Sequence, residues 1–290
     1  MSSRRIALRF RADRIDLAAR QTLSGIHRHA AEAGWRCTFD HAAGDAEPVP
    51  YDGIIAPANY PLALRLKELG VPQVHVGLQS RKGTPAPQVA EHRHAAGALA
   101  ARHLMDREYR RFLYLGYERH GPAARQDREF RRVLNARGHG VDSVVLMRGH
   151  KDRLTARSGL RRILAEWFRE YTPPMGLFVM NPPFARVAAE VAMAEGLRVP
   201  DDMGIVSAGD DPLYCEAHDC PLTAIDLCFE AVGLRAAQLL DRLLDGDVPP
   251  IRTIYIPPRT VPRRSTDHRF LDDPAVADAL AFISLQLSNW

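Results

Sequence analysis

The sequence predicts an α/β protein built from two doubly wound parallel sheets, each forming its own lobe. Short apolar runs alternate with helical segments from Ile6 to Ala208, and short turns join them. Such alternation is typical of parallel strands that helices cover on both faces. The pattern runs twice in succession, which indicates two sheets, and 290 residues suffice for two domains at roughly 100–200 residues each.

The first run of the pattern extends to the glycine at position 116. Its strands are short and apolar, and its helices carry apolar residues at helical spacing before a terminal glycine. We predict strands at 6–10, 35–39, 53–56, 74–76 and 111–116, and helices at 17–33, 61–69 and 95–105. The first crossover between the sheets is therefore predicted near residues 117–122.

The second run has the same alternation and is followed by a different C-terminal part. We predict helices at 126–136, 154–171, 185–194 and 229–244, and strands at 143–147, 176–180, 204–208, 254–256 and 259–261. A polar stretch at 263–269 precedes a further helix at 274–287, which starts with Pro274 and carries an apolar stripe. Because this last helix has no partner to pack on, we expect the natural chain to continue beyond it.

Composition and charge exclude several classes of protein. The formal net charge is +4, and the arginines are scattered, so a solvated basic surface is favoured and nucleic-acid binding stays open. No signal peptide and no run of 18 apolar residues is visible, which predicts a cytoplasmic protein without a membrane span. The cysteines Cys37, Cys215, Cys220 and Cys228 form no CxxC pair, so core positions in a reducing compartment are favoured over a zinc site.

The motifs of common enzymes are absent from the sequence. There is no GxGxxG, no GxxxxGK[ST] and no GxSxG, since Ile205 stands where the first glycine before Ser207 is needed. We therefore expect no cofactor and no catalysis. The best candidate site is Asp210–Asp211 at the end of a predicted strand, because open α/β sheets bind ligands at strand carboxyl ends. A solvated turn explains this pair equally well.

Residues 196–211, GLRVPDDMGIVSAGDD, resemble the effector domain of LacI-type regulators. In that family a helix ends in Gly-Leu, a Val-Pro turn follows, and a strand leads into an Asp-containing ligand loop. Residues 221–225 are similar to the family's strand that returns to the first lobe, and 53–56, 97–104, 111–116 and 233–244 also fall where the family would place them. The resemblance implies a periplasmic-binding-protein-like type I fold, whose lobes are joined by three crossovers near 117–122, 225–228 and 252–258.

The C-terminal residues 263–267 and 273–283 resemble one subgroup, the xylose-operon activators, which join a LacI-type sugar sensor to a C-terminal AraC-type DNA-binding domain. The resemblance implies a first lobe of residues 5–117 plus 227–253 and a second lobe of 118–226 plus 254–265. Residues 266–290 would be the linker and first helix of the AraC-type domain, which reads operator DNA and is otherwise missing. Because Arg263 and Arg264 fall in the stretch 263–267 that resembles the subgroup's linker, we expect this chain alone to bind DNA weakly and nonspecifically.

The same resemblance implies a small sugar effector, xylose or a related pentose, bound between the lobes and changing DNA binding allosterically. We expect the sugar to contact Asp210, Arg125 and Asn181, with Asp211 in reserve. Two positions depart from the family pattern: Gly209 stands at the principal Asp position and Pro182 follows Asn181. The alternative is a solute-binding protein of a sugar transporter, which shares the fold. We also expect a homodimer through first-lobe helices such as 61–69 and 95–105.

Overall fold

The computed structural model describes residues 3–10, 16–39, 51–58, 70–77, 86–117, 122–146, 157–216, 220–247 and 253–267. The described residues fall into two compact units. The first lobe comprises Met1–Arg93 and Leu227–Pro258, and the second lobe comprises His94–Asp226 and Arg259–Trp290. The predicted helices at 61–69 and 274–287 lie outside the described residues. Within the described ranges, no helix is long and apolar enough to cross a membrane.

The first lobe holds a six-stranded parallel sheet with the strand order β11-β5-β4-β3-β1-β2. Two described helices belong to this lobe, one near each end of the sequence. The elements are β1 Arg5–Leu8, α1 Leu17–Ala33, β2 Arg36–Phe39, β3 Gly53–Pro57, β4 Gln73–Val76, β5 Gln88–Glu91, α7 Phe229–Leu244 and β11 Thr253–Ile256.

Helices α1 and α7 of the first lobe pack unusually closely, because each presents a glycine to the other. A Cβ atom on Gly25 would lie 1.9 Å from the backbone oxygen of Glu230, and one on Gly233 would lie 1.8 Å from that of Thr22. The helix α1 begins at Asp16, whose carboxylate accepts from the Ala19 amide. Together the two helices cover one face of the sheet in a single core cluster.

The second lobe holds another six-stranded sheet, with the order β12-β10-β9-β8-β6-β7. All its pairs are parallel except β10 with β12. The elements are α2 Arg93–Met105, β6 Arg111–Tyr117, α3 Pro122–Asn135, β7 Val141–Leu146, α4 Arg157–Arg169, β8 Met175–Val179, α5 Pro182–Ala194, β9 Met203–Ala208, α6 Pro212–Cys215, β10 Thr223–Asp226, β12 Arg259–Val261 and a 3-10 turn Arg264–Thr266.

The core of the second lobe lies on both faces of its sheet. On one face, the aromatic rings of Tyr114, Phe130 and Phe178 pack with centroid distances of 5.1–6.4 Å. On the other face, the neighbouring strand residues Leu113 and Leu177 join the cluster that includes α4 and α5. Residues alternate between the faces, as expected for strands buried on both sides.

The fold class is confirmed: the protein has two separate parallel-sheet lobes. The first crossover was placed wrongly, because β6 lies in the second sheet and not in the first. The chain changes sheets between β5 and β6, so residues 94–117 belong to the second lobe. The predicted strand at 254–256 was also assigned to the wrong lobe, since β11 pairs in parallel with β5. Strand β5 itself was not predicted.

The helix predicted at 95–105 does not offer the surface that we expected for dimer formation. It belongs to the second lobe as α2, and its residues Ala96, Ala100, Ala101 and Leu104 are fully buried within the chain. A Cβ on Gly97 would lie 2.1 Å from the backbone oxygen of Gln126 on α3. The Ala and Leu stripe is therefore part of the lobe's own core.

Candidate functional site

Three of the residues predicted to bind ligand, Asn181, Asp210 and Asp211, lie at the carboxyl edge of the second sheet. Strands β8 and β9 are paired in parallel, so the residues that follow them lie side by side. Asn181 comes soon after β8, and Gly209–Asp211 come directly after β9. The two loops approach closely, since a Cβ on Gly209 would lie 3.5 Å from the Pro182 ring.

Asn181 and Asp211 each cap the helix that follows it. The Asn181 Oδ1 atom accepts from the Phe184 amide at 3.0 Å, and the Asp211 Oδ1 atom accepts from the Leu213 amide at 3.1 Å. A proline follows each of these residues at the first helical position, where its missing N–H costs nothing. Capping fixes both side chains at the sheet edge. The Oδ1 atom of each side chain already accepts a hydrogen bond from the backbone of its helix.

Asp210 forms a bidentate ion pair with Arg263. The two guanidinium nitrogens donate to the two carboxylate oxygens at 2.8 and 3.1 Å, with only 17% of the Asp210 side chain and 13% of the Arg263 side chain exposed. Arg263 also donates to Glu216 Oε1 at 2.8 Å and to the Leu222 carbonyl at 3.1 Å. Burial opposes the charge of Arg263, but these carboxylates outweigh it and raise its pKa.

The assignment of Arg263 and Arg264 to a linker was therefore wrong. Arg263 exchanges two hydrogen bonds with the Thr223 hydroxyl, and Ser265 and Thr266 are fully buried. Strand β12 pairs antiparallel with β10 at the edge of the sheet. The residues that follow β12 therefore pack against the second lobe. The predicted linker boundary at residue 266 also falls inside this buried turn.

Gly209 has a backbone conformation that favours glycine. Its φ of +104° lies in the left-handed region. Its amide donates to the Ile225 carbonyl at 2.8 Å, and its carbonyl accepts from the Ser207 hydroxyl at 3.0 Å. The first carboxylate of the loop after β9 belongs to the next residue, Asp210.

Arg125 lies on α3, which follows β6, and β6 pairs with β8 in the sheet. Its side chain is half-buried. The adjacent residue Gln126 is fully buried and donates from Nε2 to the Met180 carbonyl at 3.3 Å. The first turns of α3 are thereby held against the loop that contains Asn181, although no direct contact of Arg125 with Asn181 or Asp210 is observed among the described residues.

Arg186 is a buried arginine that sequence reasoning missed. Its Nε and one terminal nitrogen donate to the Tyr214 carbonyl at 3.0 and 2.8 Å, and the terminal nitrogen also donates to the Cys220 carbonyl at 3.0 Å. Burial lowers its pKa. One guanidinium group thus binds the carbonyls of Tyr214 and Cys220, two residues that follow Asp211 in the sequence. Its spacing in α5 gave no signal of this role.

The cysteines near this loop are neutral thiols in the core. Cys215 and Cys220 are buried, and all four cysteines of the chain are free. Burial raises the pKa of Cys215 to about 11 and also raises the pKa of Cys220. Across the described residues, no group of three or more His, Cys, Asp or Glu side chains is arranged to hold a metal ion.

In the first lobe, the carboxyl end of β5 carries a buried carboxylate that was also missed. Glu91 is 4% exposed, and its Oε1 accepts from Arg93 Nε at 2.8 Å. Its Oε2 is buried without a hydrogen-bond partner among the described residues. A buried, half-satisfied carboxylate is costly unless another donor reaches it, so Glu91 is a further candidate to meet a polar ligand.

Two doubly wound lobes with polar loops at a carboxyl edge define a class of protein, the ligand-binding domains of the periplasmic-binding-protein type. The comparison with known families agrees: the model of the periplasmic binding protein-like domain matches residues 101–266. The chain belongs to this family.

The most informative relatives are regulators of sugar operons. The xylose operon regulatory protein of Escherichia coli K12 is 27% identical over 241 residues, which cover 80% of this chain and 60% of that protein. That of Haemophilus influenzae is 24% identical over 294 residues, covering 96% and 74%. This chain thus spans about 60% of the length of the E. coli relative.

Solved structures of transcription regulators also superpose on this chain. A xylose-binding transcription activator superposes with a TM-score of 0.78 at 25% identity, covering 97% of this chain and 74% of that one. A LacI family regulator from Enterococcus faecium, solved with bound ribose, superposes with a TM-score of 0.70 at 18% identity, covering 93% and 100%. The second likeness concerns the fold alone.

Proposed function

We propose that this chain is the sugar-sensing portion of a DNA-binding transcription regulator of sugar metabolism, with xylose or a related pentose as effector. The observation that carries the proposal is the likeness of nearly the whole chain to a xylose-binding transcription activator, joined by the sequence similarity to xylose operon regulators. Each of these relatives is described as a regulator, which favours this function over that of a transporter's solute-binding protein.

We propose that the sugar is bound at the carboxyl edge of the second sheet by Asp210, Asp211, Arg125 and Asn181. Each Asp210 oxygen accepts one N–H from Arg263, and a carboxylate oxygen can accept about two hydrogen bonds. Asp210 can therefore accept sugar hydroxyls without releasing Arg263. Asn181 supplies an amide nitrogen as donor, so the edge offers both kinds of partner that a hydroxyl requires.

The charges of the loop after β9 favour a neutral sugar over a sugar phosphate. Asp210, Asp211 and Glu216 place three carboxylates within seven residues, and Arg263 is the guanidinium that pairs with two of them. The net negative charge of this loop would repel a phosphate dianion, and removing the dianion from water would cost further free energy.

The wider organisation completes the proposal. We infer that the regulator is cytoplasmic and acts by binding and not by turnover, and that it reads operator DNA as a homodimer through an AraC-type domain that begins within residues 268–290. In this view the two lobes have the boundaries of the two sheets, with residues 94–117 in the second lobe. The resemblance of 273–283 to the first helix of such a domain supports the DNA-reading part.

Titration calorimetry with D-xylose, D-ribose, L-arabinose and D-glucose tests the sugar proposal. We expect one pentose to bind, and Asp210→Asn to weaken it by about 10- to 100-fold, the equivalent of one charge-assisted hydrogen bond. Asp226→Asn is the matched control, because Asp226 pairs with the exposed Arg259 at 2.9 Å on the neighbouring strands. Absence of any sugar binding would overturn the proposed effector, and unchanged affinity in Asp210→Asn would overturn the site.

A further inference from the structure

Residues Arg263–Thr266, which we call the latch, carry two polar side chains into the core of the second lobe. Ser265 and Thr266 are both fully buried. The Ser265 hydroxyl donates to the Ile205 carbonyl at 2.6 Å and accepts from the Thr223 amide at 2.8 Å. These bonds join the latch to the two strands β9 and β10, and β9 leads into the loop that contains Asp210.

Thr266 belongs to a chain of hydrogen bonds in which the donor and the acceptor of every bond are determined by their neighbours. The Thr223 hydroxyl donates to the Arg263 carbonyl at 2.8 Å, so it must accept from the Thr266 hydroxyl, 2.7 Å away. Thr266 must then accept from His103 Nε2 at 2.7 Å, which leaves His103 Nδ1 to accept from Arg107 at 3.1 Å. Arg107 also donates to the Thr266 carbonyl at 2.6 Å. A neutral His103 thus satisfies the whole chain and ties the latch to α2.

The other end of the latch is the ion pair at the candidate sugar loop. The guanidinium of Arg263 holds both oxygens of Asp210, while its backbone is held by Thr223. Four consecutive residues therefore connect Asp210 at the sheet edge with His103 on α2 and with Arg107 in the turn after α2. A short segment fixed at both ends has little freedom to respond at one end alone.

We propose that the latch couples the state of Asp210 to the order of residues 263–267, with Arg263 as the positioning residue. An Asp210 carboxylate that holds Arg263 keeps the turn at Arg264–Thr266 closed. Sugar hydroxyls that donate to Asp210 exclude water from the ion pair, strengthen it and close the turn further. The ligand part of this inference rests on the proposed function, whereas the connection between Asp210 and the latch does not.

Native-state hydrogen exchange of the full chain, measured by mass spectrometry on peptides covering 259–267, tests the connection. The reporting amides are those of Ser265, Thr266 and Asp267, which donate to the carbonyls of Pro221, Arg263 and Arg264. We expect Asp210→Asn to speed their exchange about tenfold or more, because it removes the charge of the carboxylate that pairs with both terminal nitrogens of Arg263 and leaves only the pair with the more exposed Glu216. Asp226→Asn breaks the ion pair with Arg259, which joins β10 to β12, and is expected to change exchange less than about threefold. Equal effects of the two variants, or none for Asp210→Asn, would overturn the latch.

A second comparison separates coupling from general loosening. Thr266→Val keeps the shape of the side chain but removes the hydroxyl that links Thr223 to His103. If the latch acts as one unit, the double variant with Asp210→Asn exchanges no faster than the faster single variant, within about twofold. Multiplied effects would show that the two ends act independently and would contradict the proposal. Thermal unfolding of each variant checks that the lobe remains folded.

The ligand part is tested by adding D-xylose to the wild type, with calorimetry on the same sample. Binding accompanied by slower exchange in 263–267 is the expected result. Binding without any change in exchange would refute the coupling while leaving the proposed function intact. If the sugar does not bind, the proposed effector is wrong, and the comparison of Asp210→Asn with Asp226→Asn still decides the latch.

Discussion

Acidification should weaken the second lobe through one buried histidine, His103. Burial, reinforced by the charge of Arg107, lowers the pKa of His103 from 6.5 to about 4, so the folded lobe holds this ring neutral. The unfolded chain takes up a proton as the pH falls through 6.5, and the folded lobe does not. The stability that neutral His103 provides is therefore complete above pH 6.5, declines between about 6.5 and 4, and is lost below that range.

The magnitude follows from the two pKa values. The difference between 6.5 and about 4 corresponds to about 3 kcal/mol of unfolding free energy, of which about 1 kcal/mol is lost between pH 7.5 and pH 5.5. The variant His103→Gln keeps an N–H donor for Thr266 and an acceptor for Arg107 but does not titrate. We expect it to lose about 1 kcal/mol less than the wild type over this pH interval.

Hydrogen exchange resolved by lobe measures this effect, since the most protected amides of each lobe report its unfolding free energy. His75→Gln is the matched control, because burial also lowers the pKa of His75 to about 4, but His75 lies on β4 in the first lobe. It should flatten the pH dependence of the first lobe and leave that of the second unchanged. If second-lobe protection in His103→Gln falls as steeply with pH as in the wild type, the reasoning is wrong.

Three further changes test the packing by urea unfolding. Gly25→Ala should destabilise the first lobe by about 3 kcal/mol, because its Cβ would lie 1.9 Å from a carbonyl oxygen on α7. Gly140→Ala is the control: the space around Gly140 is open, so its unfolding free energy should change by less than about 0.5 kcal/mol. Leu164→Ala should cost the second lobe about 2–5 kcal/mol, since this side chain is fully buried; a smaller loss would mean that the core collapses around the gap. Arg186→Met should lower the unfolding free energy by about 2–4 kcal/mol, because the carbonyls of Tyr214 and Cys220 lose their donor. It should also speed the reaction of the Cys220 thiol with a disulfide reagent. A thiol that stays unreactive would contradict the role of Arg186.

The elements could be predicted from the sequence because burial on both sides leaves an unbroken apolar run, but their sheet membership could not. Strand β6 was assigned to the first sheet because it precedes the turn at 117–122, although the chain had already crossed before it. Strand β5 was missed because it has only four residues, of which Gln88 and Glu91 are polar. Nothing local distinguishes β11 from β12, since the choice of partner is made by strands far away in sequence.

The position of the candidate residues at the sheet edge could be predicted from the sequence, but their hydrogen-bond partners could not. Strand ends are local features, so the positions of Asp210 and Asn181 at the sheet edge followed from periodicity. The partner of Asp210 did not, because Arg263 lies 53 residues away in a stretch whose polar composition suggested a linker. Such a stretch becomes buried only when each hydroxyl finds a partner, and Thr223 and His103 supply those partners from distant segments.

The contact between α1 and α7 has a consequence for how the chain is made. The first lobe needs both Met1–Arg93 and Leu227–Pro258, so the 133 residues of His94–Asp226 must be translated between its two parts. At about 5–20 residues per second, this takes roughly 7 to 27 s, during which the face of α1 that surrounds Gly25 has no helix to cover it. The strands β6 to β10, in contrast, are contiguous in sequence and can pair as they emerge from the ribosome. The second lobe can therefore fold before the first is complete, and the apolar face of α1 stays uncovered by α7 during that interval.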